Sequence, residues 1–118
     1  MAAIKSASPL LASQSLAAGA SVNATEFNLS TAYRGRIFVK LTNGATAPTS
    51  APIVKFFVGE ATGTKRLLYT ASGDTVGASV TDLSCEYSLA DMFANVTITN
   101  GAGSAITVEV VGEATTGV

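Results

Sequence analysis

Residues 36–42 read RIFVKLT and residues 105–111 read AITVEVV, and these two stretches decide the fold. Aliphatic side chains occupy every second position in both, and the positions between them are mostly polar or charged. The alternating aliphatic residues are Ile37, Val39 and Leu41 in the first stretch and Ile106, Val108 and Val110 in the second. Because successive side chains of a β-strand point to opposite faces of a sheet, this period of two predicts two strands whose aliphatic faces share one core.

The rest of the chain repeats this pattern at short intervals. Runs rich in Val, Ile, Thr, Phe and Tyr are separated by clusters of Gly, Asn, Asp, Pro and Ser, which is typical of strands joined by turns. The other predicted strands cover residues 10–16, 24–29, 53–60, 65–71, 83–89 and 94–99. The sequence therefore predicts an all-β fold, a two-layer antiparallel β-sandwich or jelly roll of about eight strands.

Two connections carry hairpin signals. Residues 61–64 form a short turn between two predicted strands, so the strands on either side are expected to pair. The segment 100–103 reads NGAG and lies between the last two predicted strands, and Asn and Gly tolerate the positive φ angles of tight hairpin turns. We expect both connections to be β-hairpins.

The N-terminus differs from the rest of the chain. We expect residues 1–13 to form an N-terminal arm and residues 14–118 to form a single sandwich domain, because the arm has little periodic apolar content and termini are poorly ordered unless docked. The arm nevertheless carries apolar side chains that a solvated tail does not need. The candidate interface residues of the arm are Ile4, Pro9, Leu10 and Leu11. We expect the arm to add a strand to the sheet edge of a neighbouring subunit.

The composition indicates a surface that contacts partners. Hydrophobic residues make up 47% of the 118 residues and charged residues only 13%, against about 25% charged residues in ordinary soluble domains. The chain has no apolar segment long enough for a membrane helix, and the N-terminus lacks the unbroken apolar run of a signal peptide. We therefore expect synthesis in the cytosol, no membrane partner, and apolar surface buried against other proteins. The net charge of −1 gives nucleic acid no electrostatic footprint.

The sequence offers little for catalysis. It has no His, and its one cysteine, Cys85, alternates with Leu83 and Tyr87, so a small core residue is expected there rather than an activated nucleophile. The segment 59–66, GEATGTKR, has glycines one residue too close for a phosphate-binding loop, and a strand follows it instead of a helix. The carboxylates have neither the pairing of a glycosidase nor the convergence of a calcium site. We expect no enzymatic activity, no cofactor and no metal.

The charges are split along the chain. Residues 1–66 carry all seven basic residues and two acids, whereas residues 67–118 carry six acids and no base. Two arrangements follow: the halves interleave and the charges cancel, or they form opposed patches that join copies of the chain into a homo-oligomer, a trimer or a dimer. In the second arrangement Arg34 and Arg36 are the basic interface candidates, because they precede a strand and Arg forks match carboxylates. Their acidic partners on the next copy are expected to be Asp74, Asp82 and Asp91.

Four runs of the sequence resemble small virion proteins of tailed bacteriophages. They are LAAGA at 16–20, FNLST at 27–31, RIFVKLTNGATAPT at 36–49 and AITVEVVGEAT at 105–115. The most distinctive piece is LTNGATAP at 41–48. Such proteins are short β-sandwiches that attach to heads, necks or tails, and the family brings no catalytic residues.

The resemblance implies a structural virion protein. The first expectation is a capsid decoration, or cement, protein that binds and stabilises the major capsid lattice, with the major capsid protein or another virion protein as partner. The second is a neck, tail or head-fibre component. The third is a carbohydrate-binding module, although sugar-binding sandwiches usually present an exposed aromatic platform and this chain has no Trp. The expected location is the virion, after synthesis in the host cytoplasm.

Overall fold

The computed structural model describes residues 4–59, 65–87 and 93–116, and these residues form nine β-strands and no helix. The strands are β1 (Ile4–Leu16), β2 (Ser21–Asn23), β3 (Phe27–Asn28), β4 (Ala32–Asn43), β5 (Ile53–Gly59), β6 (Lys65–Ser72), β7 (Val80–Tyr87), β8 (Phe93–Thr99) and β9 (Ile106–Thr116). The predicted all-β class is confirmed. Within the described ranges no helix is long and apolar enough to cross a membrane.

The strands form two antiparallel sheets. Sheet A has the order β1-β9-β4-β7, and sheet B has the order β2-β8-β5-β6, with β3 also paired to β8. Since β2 and β3 pair with the same strand in succession, they act as one interrupted strand. Counted that way, eight strands pair first with last, second with seventh, third with sixth and fourth with fifth. This nesting is the jelly-roll arrangement, so the predicted β-sandwich is confirmed in its jelly-roll form.

The core lies between the sheets and is centred on the two stretches that predicted it. Strands β4 and β9 are neighbours in sheet A, with Val39 opposite Val110. Sheet B contributes alternating residues of β5 and β8, including Phe56 and Val96. All six aliphatic residues of the two predicting stretches are buried. Each such side chain contributes about 1.5–3 kcal/mol when fully buried, so the shared core of β4 and β9 anchors the fold.

The segment expected to be a free arm is part of the sandwich. Residues 4–13 belong to β1, which pairs antiparallel with β9 from Ile4 opposite Thr116 to Leu16 opposite Ile106. Strand β1 pairs with the side of β9 that β4 leaves free, and Leu10 and Leu16 of β1 point into the core. The strand addition expected on a neighbouring subunit is therefore made to the chain's own sheet. Residues 1–3 lie outside the described residues.

The NGAG segment is a connection between the sheets and not the predicted hairpin, because β8 belongs to sheet B and β9 to sheet A. Asn100 is only 3% exposed, and its Nδ2 donates hydrogen bonds to the carbonyl oxygens of Leu16 and Ser104 at 3.1 and 2.9 Å. A Cβ on Gly101 would lie 1.7 Å from the carbonyl oxygen of Ser50. Asn100 is therefore present because its buried side-chain amide bonds backbone carbonyls, and Gly101 because the backbone of Ser50 passes too close for a side chain.

The other predicted hairpin pairing is confirmed. Strands β5 and β6 pair antiparallel, with Phe56 opposite Tyr69 and Phe57 opposite Leu67. Leu68 has no partner on β5, so β6 bulges at this residue. The turn at 61–64 that was predicted to join the two strands lies outside the described residues.

Candidate functional site

The outer face of sheet A carries alternating rows of charged and apolar side chains, and we call it the ladder face. Strand β4 runs through its centre and points its basic residues outward, while β7 and β9 on either side supply acids. Arg36 lies opposite Glu86 on β7 and Glu113 on β9, and Lys40 lies opposite Asp82 and Glu109. The basic first half and the acidic second half of the chain therefore interleave here. The ladder face consists of Lys5, Pro9, Arg34, Arg36, Phe38, Lys40, Asp82, Glu86, Glu109, Val111 and Glu113.

The structure places both basic interface candidates beside an acid of their own chain. The Arg36 guanidinium lies 2.8 Å from the Glu86 carboxylate, and that of Arg34 lies 3.7 Å from it. All three side chains are at least two-fifths exposed, and exposed ion pairs contribute little to stability, about 0–1 kcal/mol. Of the acids expected to face them from another copy, Asp82 lies opposite Lys40 of its own chain and Asp74 lies in a turn. Asp91 lies outside the described residues.

An apolar row crosses the ladder face between the charged rows. Phe38 on β4 lies opposite Val111 on β9, and Val111 lies opposite Pro9 on β1. The Phe38 side chain is 42% exposed, and the Arg36 guanidinium carbon lies 6.0 Å from the centre of its ring, within reach of a cation–π contact. An apolar centre with a charged rim is the usual anatomy of a protein–protein interface.

The ladder face has two shallow depressions. One, of about 340 Å³, is bordered by Lys5, Arg34, Arg36, Glu86 and Glu113. The other, of about 240 Å³, is bordered by Phe38 and Val111 of the apolar row and by the three charged residues of the next row, Lys40, Asp82 and Glu109. Bases and acids lie side by side around both depressions, which is an arrangement suited to a contact with complementary charges.

Reactive and metal-binding groups are sparse in the part of the chain that the structure describes. In that part no three His, Cys, Asp or Glu side chains come together as ligands for a metal ion. Cys85 is partly buried, and this burial raises the pKa of its thiol, which keeps it in the unreactive protonated form. Burial likewise raises the pKa of Tyr87, whose hydroxyl donates a hydrogen bond to the carbonyl oxygen of Phe57 at 3.3 Å.

A second surface lies at one side of the sandwich, where β6 ends sheet B and β7 ends sheet A; we call it the open edge. Leu67, Leu68 and Tyr69 of β6 are each about half exposed, at 53%, 49% and 51%. On β7, Leu83 and Cys85 point toward the core but are only partly covered. The Tyr69 ring stacks on Phe56 with centroids 5.9 Å apart, so the apolar surface continues from the core to solvent.

The turn at 73–79 holds the two strands of the open edge together. Asp74 accepts hydrogen bonds from the Asn43 amide at 3.0 Å and from the Ser79 hydroxyl at 2.7 Å. Hydrogen bonds from the Ser79 hydroxyl and the Val76 amide lower the pKa of this carboxyl. Ala78 has a φ of 58°, a left-handed conformation that is unfavourable for a residue with a Cβ. The turn is thus fixed by side-chain hydrogen bonds at the expense of one strained residue.

The sequence reasoning placed the arm residues at an interface and missed the open edge. Leu10 is buried in the chain's own core, and Ile4, Pro9 and Leu11 lie along β1. A signal for the open edge was present: the run Leu67-Leu68-Tyr69 puts three large apolar residues in succession. Such a run breaks the alternation of a strand with one solvated face and marks apolar side chains on both faces.

No protein-family model matches the chain, and no curated protein matches it. Solved structures do share its fold. The SPBc2 prophage-derived protein YomS superposes with a TM-score of 0.56 at 14% identity, over 98% of this chain and 96% of that one. A chain in the structure of infectious bursal disease virus, Gx strain, superposes with a TM-score of 0.57 at 11% identity, over 97% of this chain and 32% of that one.

A third similar structure is TmCBM61, a carbohydrate-binding module in complex with β-1,4-galactotriose. It superposes with a TM-score of 0.50 at 12% identity, over 92% of this chain and 86% of that one. At these identities the likenesses concern the fold. The chain therefore has a β-sandwich fold similar to that of a prophage protein, a virus protein and a carbohydrate-binding module.

Proposed function

We propose that this chain is a structural virion protein of a tailed bacteriophage, and within that class a capsid decoration protein that binds and stabilises the major capsid lattice. The observation that carries the proposal is the ladder face, where an apolar row with the exposed aromatic ring of Phe38 lies between two rows of opposite charges. The whole-length likeness to the prophage-derived YomS supports it, because the jelly roll accounts for nearly all of both chains.

The ladder face provides what a lattice-binding surface needs. Phe38 supplies apolar area at the centre, where interface energy is usually concentrated in a few buried aromatic or Arg side chains. The alternating charges of the Arg36 and Lys40 rows fix the orientation of the subunit more than its affinity. The ladder face as a whole carries four bases and four acids, which limits like-charge repulsion when many copies cover one particle.

The location, the partner and the lack of chemistry follow from this proposed role. The chain is synthesised in the host cytoplasm and resides in the virion, where its partner is the major capsid protein. It works as an adhesive subunit without catalysis, cofactor or metal, and it contacts neither nucleic acid nor membrane. A neck, tail or head-fibre position is the second candidate, since the same ladder face serves a contact with another virion protein.

The proposal is tested by the ratio of this chain to the major capsid protein in purified particles, measured by quantitative mass spectrometry. A decoration protein occurs in numbers comparable to those of the capsid subunit, and a neck or fibre part occurs in a few copies. Phe38→Ala is expected to lower occupancy on particles about tenfold or more, because truncation of a central aromatic residue typically costs 2 kcal/mol or more. Tyr33→Ala, also an exposed aromatic residue of β4 but outside the ladder face, is the matched control.

Two results would contradict the decoration role. Absence of the chain from particles, or equal occupancy by the Phe38 and Tyr33 variants, would remove the ladder face from the mechanism. Binding of β-1,4-galactotriose or another glycan on an array would instead favour the carbohydrate-binding candidate, which rests on the likeness to TmCBM61.

A further inference from the structure

The open edge consists of two strands that match in length and lie on the same side of the molecule. Strands β6 and β7 have eight residues each, so each edge is about 27 Å long at the usual rise of a strand. Strand β6 is the edge strand of sheet B, and β7 is the edge strand of sheet A. The Tyr87 hydroxyl of β7 donates a hydrogen bond to the Phe57 carbonyl of β5, the neighbour of β6, so the two edge strands lie on the same side of the sandwich. The molecule thus presents two parallel rows of backbone groups, one above the other.

Apolar side chains accompany these backbone groups. Leu67, Leu68 and Tyr69 are half exposed on β6, and Val80 is 50% exposed at the start of β7. Exposed apolar edge strands template pairing with another strand unless they are blunted by charge, proline or a covering segment. Neither strand contains proline, and no described segment covers the apolar residues of β6.

The charges of the two edges are opposite. Strand β6 contains Lys65 and Arg66 and no acid, whereas β7 contains Asp82 and Glu86 and no base. Lys65 already pairs with Glu26 at 2.6 Å, which leaves Arg66 as the basic residue of β6 that acts across an interface. The Tyr87 hydroxyl bonds the carbonyl of Phe57, which lies opposite Leu67, so Leu67 and Tyr87 are at the same level along the strands. A contact between β6 and β7 therefore brings Arg66 beside the exposed carboxylate of Glu86. Strand β6 is therefore complementary in charge to β7, whereas two β6 strands or two β7 strands have charges of the same sign.

We propose that the open edge binds the open edge of a second copy, with β6 of each chain pairing with β7 of the other. A twofold axis parallel to the strands brings β6 of one copy beside β7 of its partner at the level of one sheet, and repeats the contact at the level of the other. The contact is isologous and closes as a dimer. Sheet A of each copy then continues into sheet B of the partner.

The alternative twofold axis, perpendicular to the sheets, pairs like with like. It sets β6 against β6 and β7 against β7 in antiparallel pairs, so that over the full strand length Arg66 lies opposite Ala71 and Glu86 opposite Thr81. Neither charge then meets an opposite charge, whereas the β6–β7 contact brings Arg66 beside Glu86, so the charges favour the β6–β7 contact. The dimer leaves the outer face of sheet A exposed, so it goes beyond the capsid contact of the ladder face and does not depend on it.

The test is sedimentation equilibrium of the full chain over a concentration series. The wild type is expected to dimerise, and Arg66→Glu and Glu86→Arg are each expected to raise the dimer Kd about tenfold or more at low salt. Each single variant places like charges across the β6–β7 contact. The double variant R66E/E86R restores opposite charges and is expected to bring the Kd back near that of the wild type.

The control is Lys5→Glu, a charge reversal on β1 at the opposite side of the sandwich, which is expected to leave the Kd unchanged. A wild type that stays monomeric throughout the concentration series would overturn the proposal. Single variants that dimerise like the wild type would also overturn it, because pairing of like edges or another surface would then account for the dimer. Phe38→Ala separates the two claims, since it is expected to lower capsid occupancy and leave the dimer Kd intact.

Discussion

The two sides of the sandwich are both formed by edge strands, but they differ in how well their apolar side chains are buried. At one side, which we call the closed edge, β1 of sheet A lies beside the β2–β3 segment of sheet B. Leu10 of β1 is buried there at 6% exposure, and the Thr25 amide donates a hydrogen bond to its carbonyl at 2.8 Å. At the open edge, β6 and β7 leave half-exposed Leu and Tyr side chains in succession. The closed edge is covered within one chain, whereas no segment that the structure describes covers the apolar side chains of the open edge.

The closed edge also carries the usual protection against further pairing. Pro9 has no backbone N–H to donate, and the register of β1 shifts on both sides of Leu11, so the strand cannot template a regular ladder. The open edge has one bulge, at Leu68, and no proline. This difference between the two edges is the reason that the open edge, and not the closed edge, is proposed to bind a second copy.

The largest expected effect is a difference in the free energy of unfolding between the same substitution at the two edges. Leu10→Ala should destabilise the isolated chain by about 2–4 kcal/mol, because it removes a buried side chain and leaves a cavity. Leu68→Ala, the same substitution at the open edge, should change the stability of the monomer by no more than about 0.5 kcal/mol. Urea unfolding at a concentration well below the dimer Kd measures both. Equal destabilisation by the two variants would show that Leu68 is as fully packed as Leu10.

A smaller effect is expected in the turn that joins the open-edge strands. Ala78→Gly should stabilise the chain by about 0.5 kcal/mol, since relief of the left-handed strain exceeds the extra entropy that glycine gives the unfolded chain. The matched control is Ala18→Gly, at an exposed residue of the closed side without a positive φ, which should destabilise slightly. Thermal unfolding compares them, and a lower melting temperature for the Ala78 variant would contradict the account of strain.

Local pattern was enough to predict the core and most of the strands, although residues 4–9 of β1 were expected to be an arm. The alternation in residues 36–42 and 105–111 identified the inward faces of β4 and β9, and Val39 and Val110 are neighbours in the core as expected. Period two is a local property of the chain, and burial of one face follows from it. The all-β class and the sandwich could therefore be predicted from the sequence.

Strand order could not be predicted, because it depends on contacts between distant segments. The NGAG segment has the residues of a hairpin, yet β8 and β9 enter different sheets and Asn100 is buried by β1, more than eighty residues away in sequence. The interleaving of charges on the ladder face arises only when β4 lies between β7 and β9. Which strands become edges, and so which surface is left open, is settled by the same long-range pairing.

Hydrogen–deuterium exchange, read strand by strand above and below the dimer Kd, tests most directly whether a second copy completes the open edge. Backbone amides at a sheet edge exchange readily when unpaired and slowly when hydrogen-bonded in a stable interface. The account predicts that the amides of β6 and β7 become protected at the higher concentration while those of β1 stay unchanged. Unchanged exchange in β6 and β7, or protection that arises in β1 instead, would contradict it.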